Sequence, residues 1–138
     1  MIEVILLMML GNADALTDLQ IDIDEQTEKV AELEAEFENL GSDYTDVSIK
    51  LNLLFIEFKT WDNKYELEEK VAMKTHYYAK YLESKDLWRE QYRELKDIEI
   101  ERDLLEHDME TAKVLLEKME GDFEKILKAN SNPDRYTN

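Results

Sequence analysis

Over the second half of the chain, apolar residues return at alternating steps of three and four. They are Tyr77, Tyr81, Trp88, Leu95, Ile98, Leu105, Met109, Ala112, Leu116, Met119, Phe123 and Ile126, with Ser84, Gln91 and Arg102 as polar interruptions of the same stripe. That is the helical period kept up over many turns. The run from Asn63 to Ala129 has no proline and a single glycine, Gly121. As one helix it would reach roughly 100 Å, at about 1.5 Å per residue. No compact domain of this size has a core that long, so the stripe needs a partner helix, from this chain or another.

A second seam lies upstream. Leu16, Leu19, Ile23, Gln26, Val30, Leu33, Phe37 and Leu40 also alternate three and four apart, with Gln26 as the polar member. Everything facing away from it is acidic. Residues 13–46 hold twelve acids and one base, Lys29. The pairs Asp18/Asp22, Glu28/Glu32, Glu32/Glu36 and Glu34/Glu38 are like-charge neighbours one turn apart, each costing roughly 0.2–0.5 kcal/mol. Such a helix needs apolar cover along its seam and basic side chains beside it. Residues 47–96, with nine acids and ten bases, are the expected supplier.

Gly41-Ser42-Asp43 reads as a helix stop followed by a cap, which makes the flanking helices antiparallel neighbours. The stretch after it fits two patterns. Val47, Leu51, Leu54, Phe58 and Trp61 have helical spacing, whereas Val47, Ile49, Leu51, Leu53 and Phe55 alternate as in a strand. Length and hairpin logic favour the helix. The four apolar residues Leu53-Leu54-Phe55-Ile56 call for burial from more than one direction. Further breaks are expected near residue 62, where Asn63 and Glu66 form a capping-box pattern, or near residue 84.

The fold expected is therefore all-α, a long antiparallel helical hairpin or coiled-coil-like bundle. The alternative is a small β-hairpin from 2–10 and 47–58 attached to a long helix. The organisation expected is an apolar N-terminal docking segment (1–12), an acidic helix (13–40), a long helical region (43–129) and a polar tail (130–138). Met1–Leu10 is too short to span a bilayer, which takes roughly 20 residues. It has no basic leader, and Glu3 interrupts it, so it fits a signal peptide poorly. No membrane span and no secretion are expected, and the absence of cysteine fits a reducing compartment. The chain is expected in the cytoplasm or within a viral particle.

Motifs for chemistry are lacking. His76 and His107 have Met73 and Leu104 three residues before them, so the Glu-x-x-His pair of di-iron bundles is missing. Asp103 and His107 read as a surface ion pair. Asp22-x-Asp24 begins like a calcium loop but has Thr27 at the glycine position and Leu33 at the bidentate glutamate position. No glycine-rich phosphate loop occurs. No enzyme activity, cofactor or metal is expected.

The formal charge of −17 opposes direct binding to nucleic acid. Aromatic residues between Phe55 and Tyr92, set among the bases, suit either a wide core or a contact surface. Protein partners or further copies are expected to meet Ile2, Val4, Leu6, Leu7, Leu16, Leu19, Ile23, Leu33, Phe37, Trp61, Tyr77, Tyr81, Trp88 and Tyr92. The function expected is structural, assembly or adaptor work through helix–helix association, of the kind seen in phage scaffold and virion proteins. The alternative is an acidic mimic of nucleic acid that occupies the binding surface of another protein.

Overall fold

The computed structural model describes residues 13–131. Two helices account for nearly all of them: α1, Ala13–Leu67, of 55 residues, and α2, Val71–Ser131, of 61. They pack against each other as an all-α helical hairpin, with no strand among the described residues. The segment 47–58 is helical throughout, which removes the strand alternative there; 2–10 lies outside the described residues. The polar tail beyond Ser131 also lies outside them.

The hairpin turns at Glu68–Lys70, not at Gly41–Asp43. α1 runs unbroken through Gly41, through residue 62 and through Asn63, and α2 runs unbroken through residue 84. The seam explains why. Its three-and-four alternation passes straight through Gly41, from Phe37 and Leu40 to Tyr44, Val47, Leu51, Leu54, Phe58, Trp61 and Tyr65. A helical glycine costs about 1 kcal/mol against alanine. Unwinding there would expose several apolar side chains worth about 1.5–3 kcal/mol each. The helix therefore continues. Between Glu68 and Lys74 the repeat changes phase, and there the chain reverses. Glu68 N–H still donates to Lys64 O at 3.1 Å, and the Glu68 carboxylate accepts from Lys70 N–H at 3.1 Å, so the link is tied by its own charged residues.

Residues 36–105 form one compact unit. In it Val47, Leu95 and Ile98 make a buried cluster with Tyr44 and Leu51 packed on it. Pairings fall on α2 as they rise on α1. Phe37 lies under the Arg102 guanidinium, Tyr44 reaches Glu99, Phe58 meets Trp88 and Tyr81, and Trp61 meets Tyr77. The two segments are thus antiparallel.

The described residues of 13–35 and 106–131 belong to a second unit. Its buried apolar residues are Ile23, Val30, Ala112, Ile126 and Ala129. Gln26 is buried with them and donates from Nε2 to the Ala112 carbonyl at 3.0 Å. The acidic stretch of α1 is here paired with another acidic stretch, not with the balanced residues 47–96 as expected. Lys113 bonds Glu34 across the seam at 3.0 Å, Asp24 accepts from Gln20 Nε2 at 2.9 Å, and most of the carboxylates lie at exposed positions. Apolar seam contact outweighs the repulsion because solvent screens charges on the outer faces.

Candidate interaction surface

Within residues 36–105, the end nearest the turn is built from aromatic rings. Phe58, 6% exposed, has Phe55 at 5.1 Å, Trp88 at 5.7 Å and Tyr81 at 6.1 Å, all edge-on. Ser84 lies between Tyr81 and Trp88 on the same stripe and is 3% exposed, its hydroxyl donating to Lys80 O at 2.8 Å. A small residue at that place leaves room for the Phe58 ring. Trp61 packs on Tyr77 at 5.9 Å and His76 at 6.5 Å, Tyr65 on Tyr78 at 5.4 Å, and Trp88 stacks on Tyr92 at 5.3 Å.

Five lysines of this region sit on the rings, while Lys80 and Arg89 pair with Glu83 and Asp86. Lys59 lies over Phe55 and Phe58, Lys64 over Trp61 at 4.6 Å, Lys74 over Tyr65, Lys85 over Tyr81 and Lys96 over Tyr92. Each such contact is worth about 0.5–1 kcal/mol at an exposed site. The hydrogen bond and charge of Glu99, followed by Tyr92, hold the Lys96 ammonium above its ordinary pKa. Four of these pairings are one helical turn apart in sequence: Phe55/Lys59, Trp61/Lys64, Tyr81/Lys85 and Tyr92/Lys96. The fifth in-sequence contact is Phe58/Lys59, which are adjacent. The signal was present in the spacing but read as charge meant for another helix.

The expected partner-binding residues are mostly spent inside the hairpin. Leu16, Leu19, Leu33, Phe37, Trp61, Tyr77, Tyr81 and Trp88 are half-buried, Ile23 is buried, and Tyr92 stays exposed. Ile2, Val4, Leu6 and Leu7 lie outside the described residues. A different apolar set faces water: Ile49, Leu53 and Ile56, four and three apart on α1 and 54%, 62% and 62% exposed, with Leu87 of α2 at 46%. Lys50, Leu53, Leu54, Leu87 and Gln91 line a groove of about 320 Å³. Gln91 Oε1 is shielded there without a hydrogen-bond partner. The run Leu53–Ile56, apolar on all sides, carried the sign of this second face.

Among the described residues no group of three or more His, Asp or Glu side chains is arranged to hold a metal ion, and no described helix is long and apolar enough to cross a membrane. No family model, curated protein or solved structure matches this chain.

Proposed function

We propose that the chain is a non-enzymatic structural, assembly or adaptor protein that acts by helix–helix association with itself or a larger protein, as phage scaffold and virion components do. The observation that carries this reading is the second apolar face. Once α1 and α2 have covered each other, Ile49, Leu53, Ile56 and Leu87 remain in water beside an apolar groove. Contiguous exposed apolar surface of this kind marks an association site. Work in the cytoplasm or inside a viral particle belongs to the same reading. Light scattering on the full chain at micromolar concentration, with affinity capture from its source, tests it. A monomer that recovers no specific partner would refute it.

One observation favours a second reading, the acidic mimic. Residues 13–35 carry eight acids and one base, residues 106–131 carry seven acids and four bases, and both belong to one unit. Rows of carboxylates there offer a surface for a basic, nucleic-acid-binding partner. Such binding would fall steeply with salt, and a salt-insensitive complex excludes it.

A further inference from the structure

The groove lined by Leu53, Leu54 and Leu87 has an electrical pattern that its apolar character does not require. On the groove side of α1, charges recur every seven residues, a spacing that keeps them on one face: Asp43, Lys50, Glu57, Lys64. Their order is negative, positive, negative, positive. Reversed end for end about the midpoint at Leu53–Leu54, every charge meets its opposite: Asp43 falls level with Lys64, and Lys50 with Glu57. On α2 the equivalent series is Lys80, Leu87, Glu94. Reversed about Leu87, lysine meets glutamate. The two centres of reversal stand at one level, because Leu53, Leu54 and Leu87 line the same groove. A single two-fold axis therefore serves both helices.

We propose that the groove is closed by a second copy of this chain, in an isologous dimer whose core is an antiparallel four-helix bundle. The axis crosses the helices at Leu53 and Leu87, laying α1 on α1 and α2 on α2 in opposite directions. This rests on the reading of the protein as one that works by helix–helix association, and it names the partner and the face. Isologous contact demands a self-complementary surface, and this surface meets the demand at each of those charged positions. Glu83 and Glu90, the acids one turn to either side of Leu87, fall level with Gln91 and Ser84 of the second copy and not with each other.

The size is sufficient. From Asp43 to Lys64 the face runs about 32 Å, and two helices side by side span roughly 20 Å. Two copies would bury on the order of 1,200 Å², the lower end of the range for stable complexes. Repulsion is weakest here, since residues 36–105 hold seventeen acids against eleven bases and so carry the smaller share of the −17 charge.

Three variants of the full chain test this by sedimentation equilibrium and oxidative crosslinking. Leu53→Glu with Leu87→Glu should weaken the dimer at least about 100-fold with helicity retained, because both side chains are exposed in the single chain. Lys80→Glu should weaken it about 10-fold, and adding Glu94→Lys should restore it, because the exchange re-forms both cross-axis pairs. Leu87→Cys, in a chain with no other cysteine, should give a disulfide-linked dimer on oxidation, and Ile100→Cys should not. A dimer indifferent to the leucine pair, or no rescue by the charge exchange, overturns the proposed face while leaving self-association standing. A monomer that captures a specific larger protein overturns the second copy but not the association reading; a monomer with no partner overturns both.

Discussion

Replacing Gly41 by alanine turns the course of α1 into a question of sign. The glycine lies inside the helix, and a Cβ built on it would stand 3.8 Å from Arg102 Nη2 and 4.0 Å from Cζ. Those are ordinary contact distances. The guanidinium is already held over the Phe37 ring at 4.9 Å and the Tyr44 ring at 6.0 Å, so the added methyl finds a positioned surface. Removing the backbone freedom of a helical glycine stabilises by about 1 kcal/mol. For a chain of this length that raises Tm by about 3–5 °C. A turn at Gly41 gives the opposite result. Alanine forced into the left-handed conformation past a helix end costs about 1–2 kcal/mol, and Tm falls by a similar margin. Thermal unfolding followed by circular dichroism, at one fixed protein concentration, reads the difference. Gly121→Ala is the control, since nothing lies within 4 Å of its Cβ position, and it should show a gain of the same size. A lower Tm for Gly41→Ala beside a higher one for Gly121→Ala would refute a continuous helix through residue 41.

Phe58→Ala, which empties the centre of the aromatic cluster, should cost about 3–5 kcal/mol in urea unfolding; a loss under about 1 kcal/mol would mean the ring is not packed as described. Ser84→Leu should cost about 1–3 kcal/mol by crowding Phe58, and Ser84→Ala should leave the midpoint nearly unchanged. Gln26→Leu trades a hydrogen bond worth about 1 kcal/mol for a similar gain in apolar burial, so stability should move by less than about 1 kcal/mol; a large loss would make Gln26 a required polar contact. A double-mutant cycle on Glu34 and Lys113, both about half exposed, should give a coupling of about 0.2–1 kcal/mol that fades in high salt, and a larger or salt-resistant value would contradict the exposed geometry.

The seam was legible because burial of a stripe is a repeating constraint, and repetition survives a few exceptions. Every apolar position read from Leu16 to Leu40 and from Tyr77 to Ile126 is buried or half-buried. The turn was not legible by the usual signs, because Gly41 carries them and Glu68-Glu69-Lys70 carries none. Its true mark was a change of phase between Glu68 and Lys74, which matters more than composition when a helix is held by its seam. The bases were misassigned for a related reason. Net charge over a segment says nothing about whether a lysine will rest on a ring one turn away, as Lys59, Lys85 and Lys96 do. The outward set Ile49, Leu53 and Ile56 was only half visible, since Ile49 and Leu53 also fit the alternation of a strand.

A uniform seven-residue repeat leaves the pairing of two helices ambiguous, because sliding one past the other by seven residues, about 10 Å, brings similar side chains back into contact. The three-residue link between Leu67 and Val71 resolves the ambiguity for residues 36–105. Fully extended it spans little more than about 10 Å, nearly all of which is used in crossing from one helix to the next. Any slip must therefore melt helix at the tip. The connector acts as a ruler: it sets which aromatic meets which, and lengthening it would free the helices to trade alignments.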